Sequence, residues 1–291
     1  MISIEHCQLC RSDRIETIDS ICNIQRCKSC GFVFDSPRPS LPELMEFYGR
    51  PMKYDEWLSN EAARDDLWMR RLKRLHQIRP TGSLLDIGAG IGQFLHYAMN
   101  MYFPVAGTEV SESAIRIARQ RYELELLKGT VEEIEWGERK FDIITLFHVL
   151  EHVPDPLETV LSCRKLLNPN GILLITVPNE MKSISTKMRR LGRLFGIRGK
   201  NRGRMGLPKV DLEEVVTEIN LSHFTPKVIQ VFLRRCGFKI IENTLSPDFS
   251  ASGGERLINE IHFMICSAIK AVFRKNLYGT IWIVAEREAD L

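Results

Sequence analysis

Long apolar runs and a leader peptide are both missing from this chain of 291 residues. No segment reaches the roughly 18 apolar residues that a membrane-spanning helix requires. The nearest one, Leu257–Phe273, is interrupted by Asn259, Glu260, His262 and Lys270. The first residues, MISIEHCQLC, lack the basic segment and apolar core of a secretory signal. We therefore expect a cytoplasmic protein in a reducing compartment, where clustered cysteines indicate metal binding more than disulfides.

A strong net charge is also lacking, because 40 Lys and Arg against 37 Asp and Glu leave only +3. That balance alone gives no reason to expect nucleic acid as a partner. The cations are unevenly spread, since residues 181–210 hold ten Lys or Arg and no Asp or Glu. Such a run is usually a solvated loop, and otherwise faces phosphates or a membrane. Phe195 is its only aromatic residue, which weakens a role in stacking RNA bases.

Cysteine is present in a pattern that indicates metal. Four of the eight cysteines form two C-x2-C pairs with sixteen residues between them. Each pair offers two thiolates from one tight turn, and two pairs complete the S4 set of a structural zinc. A segment this short buries little core of its own, and a metal can substitute for one. We predict a zinc-ribbon-like module over residues 1–38, with structural Zn²⁺ bound by Cys7, Cys10, Cys27 and Cys30.

Residues 39–79 have helical character. Ser40 and Pro42 are a cap and an early-helix residue. Farther on, Leu67, Leu72 and Leu75 recur at helical spacing. We predict a helical segment that links the zinc module to the main domain and covers one side of its ligand cleft.

From residue 80 the chain alternates apolar runs with helical segments. The runs SLLDIG, PVAGTEV, ELELLKG, FDIITLFHV and GILLITVPN are typical of buried strands. The alternation predicts an α/β domain over 80–291, with a parallel sheet, helices on both faces and ligands at the carboxyl ends of the strands. Insertions are expected near 181–220 and 250–276. The second holds an amphipathic helix that packs on the domain by default, or else on a twin subunit or a membrane surface.

The turn in LLDIGAGIGQFL is the most informative loop, with Gly88, Gly90 and Gly92. A dinucleotide fingerprint places its third glycine one residue later, so this is not the pyrophosphate form. The turn still lets backbone approach a ligand closely. Asp86 precedes it. Glu109 ends the next strand, where a carboxylate can accept hydrogen bonds from both hydroxyls of a ribose.

Four motifs occur in an order typical of one family: LLDIGAGIGQFL, GTEVSESAIRIA, FDIITLFHVLEHVPDP and LLNPNGILLITVPN. Over residues 82–179 the chain closely resembles class I S-adenosylmethionine-dependent methyltransferases. Its cysteine module is similar to a subgroup with zinc-ribbon extensions that often acts on sugars. The resemblance implies S-adenosylmethionine as the cofactor. It also implies a Rossmann-like, seven-stranded, mostly parallel sheet whose last strand, GTIWIVAER, is antiparallel.

The resemblance also implies roles at the cofactor site. Asp86 and the Gly88–Gly92 backbone would hold the methionine part, and Glu109 the ribose hydroxyls. The family often has an acidic residue near the adenine amine after the third strand; Thr130 stands at that point here, unless Glu132 takes the role. The implied cofactor-binding set is Asp86, Gly88, Ala89, Gly90, Gly92, Glu109, Thr130 and Phe147.

The stretch FHVLEHVPDP follows the fourth strand, whose carboxyl end would face the transferable methyl. His148 can pack on the cofactor, act as a general base or substrate contact, or ligate a metal. Some relatives bind magnesium here through E-x-x-E-H, but imidazole at the first position disfavours a hard ion. Glu151 and His152 are expected to hold the turn. His223 either belongs to the cap region of the Thr225 helix or acts as a ligand or base.

The expected function is methyl transfer to a small molecule. The favoured acceptor is a hydroxyl of a sugar or phosphate-linked sugar in polysaccharide or natural-product biosynthesis. A nucleotide- or lipid-linked phosphate would be gripped by the cations of 181–210. RNA is the alternative acceptor. A non-catalytic protein that binds the cofactor or interacts through zinc is the alternative of another class. Peripheral membrane contact and the oligomeric state stay open.

Overall fold

A computed structural model describes residues 1–50, 54, 61–194, 203–213, 218–247 and 253–289. The strands in these ranges are β1 Ile15–Asp19, β2 Ile24–Cys27, β3 Val33–Asp35, β4 Leu84–Ile87, β5 Val105–Glu109, β6 Leu127–Lys128, β7 Phe141–Phe147, β8 Leu167–Pro178, β9 Ser222–His223, β10 Phe238–Leu245 and β11 Thr280–Arg287. The helices are α1 Leu41–Gly49, α2 Glu61–Ile78, α3 Gln93–Asn100, α4 Glu112–Tyr122, α5 Pro156–Leu166, α6 Ile184–Leu194, α7 Pro226–Arg235 and α8 Gly253–Phe273.

The main sheet has seven strands in the order β10-β11-β8-β7-β4-β5-β6. Strands β4 to β8 pair in parallel, and β11 runs antiparallel to both β8 and β10. The expected seven-stranded, mostly parallel sheet with an antiparallel last strand is confirmed. Strand order reverses at β4, which lies between β5 and β7, so the carboxyl end of β4 opens a crevice.

Helices cover both faces of this sheet, as expected. Leu84 and Ile143 face the side that carries α2, α3 and α4. Leu85 and Ile144 face the side that carries α5 and α7. Because both faces are buried, these strands read as continuous apolar runs rather than as alternating patterns.

The third strand of the domain is shorter than its sequence predicts. The run ELELLKG indicated a strand over residues 123–129, but β6 holds only Leu127 and Lys128. Helix α4 continues to Tyr122, and Glu123 ends it in the left-handed region with φ 55°. The strand also lies at the sheet edge and pairs only with β5, so nothing on its other side extends it.

The cysteine module shares its core with the main domain. Its strands β1, β2 and β3 form an antiparallel sheet that β9 of the main domain completes. The ring of Phe32 lies 5.5 Å from that of Phe34 and 5.4 Å from that of Phe224. Burial against a larger neighbour therefore adds to what a metal can supply in so short a segment. The boundary at residue 38 stays a prediction.

The basic insertion packs on the cysteine module where it is described. The backbone N–H of Met205 donates to Asp19 at 2.8 Å, and Leu207 is buried beside Ile24 and Val33. On α6, Arg190 donates to the Met205 carbonyl at 2.7 Å. Residues 195–202 lie outside the described part of the chain. None of the described residues of 181–210 lines the cavity at the carboxyl ends of β4, β5 and β7, so the expected grip on a substrate phosphate gains no support from them.

The late insertion forms α8, as predicted. One side packs inward, with Phe263 and Cys266 in a cluster with Leu245 and Tyr278. Packing on the domain is nevertheless incomplete, because the opposite side is exposed. Within the described ranges, no helix is long and apolar enough to cross a membrane.

Candidate active site

A cavity of about 480 Å³ opens at the carboxyl ends of β4, β5 and β7. Helices α1 and α2 cover it, as the sequence predicted for residues 39–79. Two hydrogen bonds fix α2 over the site: Trp68 donates to the Gln93 side chain at 3.1 Å, and Gln93 donates to Asp65 at 2.5 Å. The cavity therefore lies where strand order reverses, the usual ligand position in such sheets.

The glycine turn forms one wall. Gly88, Ala89 and Gly90 line the cavity, and both glycines have positive φ, 67° and 56°. A Cβ on Gly88 would lie 2.6 Å from Val149, so a side chain is excluded there. Gly92 departs from the predicted set because it lies outside the lining. A Cβ on it would lie 2.9 Å from Leu124, so its role is packing.

Glu109 is held at the cavity by backbone donors. One carboxylate oxygen, Oε2, accepts from Gly90 N–H at 2.8 Å. The other, Oε1, accepts from Val110 N–H at 2.8 Å and Ser111 N–H at 2.9 Å. Burial raises the pKa of Glu109, while these amides act in the opposite direction. The residue is 4% exposed, so its orientation is fixed before a ligand arrives.

Asp86 is the second buried acid of the cavity. Its Oδ1 accepts from the Thr145 hydroxyl at 2.6 Å. Burial is the main cause that raises the pKa of Asp86 to about 7. The Thr145 hydrogen bond acts in the opposite direction, and the nearby Glu109 acts in the same direction as burial. A cationic ligand beside Asp86 would favour the ionised carboxylate.

The far end of the cavity carries both candidates for the adenine contact. Thr130 and Glu132 line it. Thr130 donates through its N–H and its hydroxyl to Glu133, at 3.2 and 3.1 Å. Glu132 accepts from the Thr159 hydroxyl at 2.5 Å. Both predicted positions therefore lie at the cavity, with these polar groups already engaged within the protein.

An aromatic wall lies opposite the glycine turn. The ring of Phe147 packs against Phe94 at 4.7 Å and Trp68 at 5.3 Å. The guanidinium of Arg71 lies over Trp68 and Phe147, at 5.1 and 5.2 Å from the ring centres. Sequence reasoning named Phe147 but missed Trp68 and Arg71. The sequence did hold a signal for them, because Arg64, Trp68 and Arg71 follow one another at intervals of four and three residues and so share one face of α2.

His148 lies at the exit of β7 with its backbone in the left-handed region, φ 57°. Its N–H donates to the Thr176 carbonyl at 3.0 Å. On the ring, Nδ1 is 3.1 Å from Oε1 of Glu151, and Nε2 is 3.5 Å from the Arg71 guanidinium. Left-handed backbone in a non-glycine residue is uncommon and clusters at functional sites. The ring lines the cavity with one nitrogen fixed by a carboxylate.

Glu151 and His152 sit in a turn between β7 and α5. Glu151 is 1% exposed, and its carbonyl accepts from Leu221 N–H and Ser222 N–H. His152 donates through Nδ1 to the Ile219 carbonyl at 2.7 Å. Burial opposes protonation of His152, but Glu151 and then Glu218 raise its pKa to about 8. The backbone carbonyl of Glu151 and the side chain of His152 therefore hold the turn, and both residues also line the cavity.

His223 lies away from the cavity. It is 2% exposed on β9, with Nδ1 2.6 Å from Glu180 and Nε2 2.9 Å from Asp35 of the cysteine module. Both ring nitrogens are engaged by carboxylates, the buried Asp35 and the partly buried Glu180, so this geometry gives no support to a catalytic or ligating His223. The cap of α7 is instead the Thr225 side chain, which accepts from Val228 N–H.

This buried triad predicts a pH-dependent stability. Burial lowers the pKa of His223, but hydrogen bonds to Asp35 and Glu180 outweigh it and raise the pKa to about 10. A raised folded-state pKa gives stabilisation that is complete below about pH 6.5 and is lost as the pH rises toward 10. His223→Ala should lower the free energy of unfolding by about 3–5 kcal/mol at neutral pH and flatten that pH dependence.

Urea denaturation from pH 6 to pH 10 measures both effects. His76→Ala, on the last turn of α2, is the matched control and should behave like the unchanged protein. A His223→Ala protein as stable as the control at neutral pH would show that the triad contributes nothing.

The four predicted cysteines converge. Their sulfur atoms all lie within 4.8 Å of one another, with Cys7 and Cys30 at 3.5 Å and Cys10 and Cys27 at 3.7 Å. Tetrahedral Zn–S bonds of about 2.3 Å place sulfurs about 3.8 Å apart, so the donor set fits zinc. In the part of the chain that is described, this is the only His, Cys, Asp or Glu group with such geometry. A metal at His148 therefore gains no support.

A family model described as a methyltransferase domain matches residues 59–243. Among similar curated proteins, the ubiquinone biosynthesis O-methyltransferase of Histophilus somni is 32% identical over 132 residues, which cover 37% of this chain and 56% of that protein. The protein of the same name from Pasteurella multocida is 30% identical over 137 residues, covering 37% and 57%. The chain spans about half the length of these relatives.

Solved structures share the fold. A Thermotoga maritima S-adenosylmethionine-dependent methyltransferase, described as a possible histamine N-methyltransferase, gives a TM-score of 0.54 at 18% identity, covering 84% of this chain and 100% of that one. The 1,6-didemethyltoxoflavin-N1-methyltransferase of Burkholderia thailandensis gives 0.52 at 16% identity, covering 95% and 100%. With the family match over more than half of its length and the seven-stranded sheet, the chain belongs to the methyltransferase-domain family and has the fold of class I S-adenosylmethionine-dependent methyltransferases.

Proposed function

We propose that the protein transfers the methyl group of S-adenosylmethionine to a hydroxyl oxygen of a small molecule. The observation that carries this proposal is the Glu109 carboxylate, fixed by three backbone amides beside the Gly88–Gly90 turn in the large cavity. Oε2 accepts only the Gly90 amide, so it keeps an acceptor site for a ribose hydroxyl, whereas Oε1 already accepts two amides. Few other ligands would need a buried, pre-oriented carboxylate next to a side-chain-free turn.

The remaining cavity residues fit the rest of the cofactor. Asp86, with a pKa of about 7, and the Gly88–Gly90 backbone would hold the charged methionine part. Thr130 and Glu132 would meet the adenine end, and Phe147 would pack against the cofactor. When bound, the cofactor supplies a methyl group on an already activated sulfonium, so the protein must mainly align the acceptor and remove its proton.

His148 is the group placed to remove that proton. Donation from Nδ1 to Glu151 fixes the ring and leaves Nε2 as the basic nitrogen. Nε2 is 3.5 Å from the Arg71 guanidinium, and both residues line the cavity. Glu151 is a positioning residue in this scheme, because its Oε1 holds His148. His152 has its Nδ1 engaged by a backbone carbonyl and supports the turn.

The acceptor side favours a molecule with an apolar body. Leu41, Leu44 and Met45 from α1, and Leu67 and Trp68 from α2, give the cavity apolar surfaces. An aromatic hydroxyl compound suits them better than a sugar. Relatives named as ubiquinone biosynthesis O-methyltransferases agree with transfer to oxygen.

An acceptor screen tests the proposal. The full-length protein is incubated with S-adenosylmethionine and, separately, with phenols, nucleotide-linked sugars or RNA oligonucleotides, and release of S-adenosylhomocysteine is followed. We expect phenols to be methylated faster than the sugars. Turnover with RNA alone, or with nucleotide-linked sugars but no phenol, would contradict the assignment of the acceptor.

We also propose that the four cysteines hold one structural Zn²⁺. A closed S4 set leaves no position for substrate, so the metal would act on stability. Chelation should remove one zinc per chain and lower the Tm by roughly 10 °C. In a domain of this size, each kcal/mol lost from the free energy of unfolding lowers the Tm by about 2–4 °C. Zinc content and Tm after chelation measure this. Cys10→Ser should lose the metal, whereas Cys22→Ser, also in the module but outside the cluster, should keep it.

A further inference from the structure

Helix α8 turns an apolar stripe toward solvent along its length. Leu257, Ile261, Met264, Ile265 and Val272 recur at intervals of four, three, one and seven residues, which places them on one face. Their exposed fractions are 60%, 44%, 60%, 53% and 72%. Contiguous exposed apolar residues of this kind mark interaction surfaces in soluble proteins.

The orientation of the helix is fixed by its other side. Arg256 pairs with Asp66 of α2 at 2.7 Å, and Glu260 pairs with Arg70 of α2 at 3.0 Å. Cys266, on the side of α8 that faces the protein, is fully buried. The polar contacts and the buried residue therefore face the protein, and a rotation that hid the stripe would break them.

The connection between β10 and β11 does not require a helix such as α8. Strands β10 and β11 are antiparallel neighbours, with Leu245 opposite Ile281. Such strands can be joined by a turn of about two to five residues. Here residues 246–279 intervene, and they place α8 on the surface. The insertion is therefore longer than the connection between these two strands requires.

Cations accompany the stripe. Arg274 and Lys275 are exposed at its carboxyl end. Helix α6 packs beside α8, since Ile184 joins the cluster that holds Phe263 and its N–H donates to the Leu277 carbonyl at 2.9 Å. Helix α6 also exposes Met188 and Leu191, at 60% and 47%, and its exposed Lys187 adds a third cation, whereas Arg190 donates to the Met205 carbonyl.

We propose that α8, with α6 beside it, docks on an anionic membrane surface. A solvent-facing apolar stripe with Lys and Arg around it is the pattern of helices that lie in the headgroup region. Anionic headgroups satisfy the cations while the stripe enters the acyl boundary. A second copy of the chain is a poorer occupant, because a two-fold axis would bring the same cations together. The ion pairs with α2 place α8 beside a helix that lines the cavity. The proposal does not depend on methyl transfer.

Vesicle co-sedimentation tests the proposal with the full-length protein. We expect binding to vesicles of phosphatidylcholine mixed with phosphatidylglycerol, and much weaker binding to phosphatidylcholine alone. The double variant Ile261→Glu, Met264→Glu should lose at least about tenfold in affinity, since two apolar groups can no longer be buried. Ile261 and Met264 are both exposed, so the circular dichroism spectrum of the double variant should match that of the unchanged protein.

Ile21→Glu is the matched control, because Ile21 is 53% exposed but lies in the cysteine module. It should bind vesicles like the unchanged protein. Three outcomes overturn the proposal: no binding to the anionic vesicles, equal loss in the control and the double variant, or a dimer seen by light scattering that the double variant breaks while vesicles are not bound.

Discussion

Replacing His148 with asparagine is expected to lower kcat about 10²–10⁴-fold, the usual contribution of a general base. Asparagine tolerates the left-handed backbone that His148 adopts, so the substitution removes the base without straining the turn. The Kd for S-adenosylmethionine should change little, because Glu109 and the glycine turn are untouched. Turnover with the best phenol of the screen and calorimetric binding of the cofactor measure the two effects.

His152→Asn is the matched control for this result. It changes the neighbouring histidine of the same turn, whose Nδ1 is engaged by the Ile219 carbonyl. We expect a much smaller loss of kcat there. If His148→Asn keeps near-full turnover, or if both variants lose equal amounts, His148 is not the base. A parallel loss of cofactor affinity in His148→Asn would instead assign His148 to cofactor packing.

Glu109→Ala is expected to weaken cofactor binding at least about 100-fold. A hydrogen bond from a ribose hydroxyl to the free site on Oε2 contributes about 1.5–3 kcal/mol, and 1.4 kcal/mol corresponds to tenfold in Kd. The variant also removes the acceptor for Gly90, Val110 and Ser111 amides, which adds to the loss. Isothermal titration with S-adenosylmethionine measures the Kd.

Glu112→Ala, an exposed acid three residues farther along the chain, is the control and should bind normally. Because Glu109 also supports the turn, Glu109→Asp is a second test: it keeps the charge but shortens the side chain, and its Kd should lie between those of the unchanged protein and Glu109→Ala. Normal binding by Glu109→Ala would remove the ribose contact from this account.

Much of the sheet could be predicted because its signals are local. The strands β4, β5, β7 and β8 appear in the sequence as apolar runs. Two of these runs end with an acidic residue, Asp86 near the end of β4 and Glu109 at the end of β5. Parallel strands meet at one edge, so residues distant in sequence share a cavity. The cysteine pairs are equally local, since two tight turns determine where the sulfurs point.

The parts that were missed depend on contacts between distant segments. The two residues of β9 carry no strand signal of their own and are held by pairing with β3, so the contacts of His223 with Asp35 and Glu180 could not be predicted. Helical spacing could identify the faces of α2 but not which one meets the cavity, so Arg71 and Trp68 were overlooked. The basic insertion was assigned to the substrate from charge alone, whereas its described part packs on the cysteine module.

Titration of the full-length protein with S-adenosylmethionine tests the central claim most directly. The account predicts one binding site per chain with a Kd below about 1 mM, within the range usual for enzyme ligands. Glu109→Ala should abolish the measured heat while Glu112→Ala retains it. No binding by the correctly folded protein, or binding that Glu109→Ala leaves unchanged, would contradict the assignment of this cavity to the methyl donor.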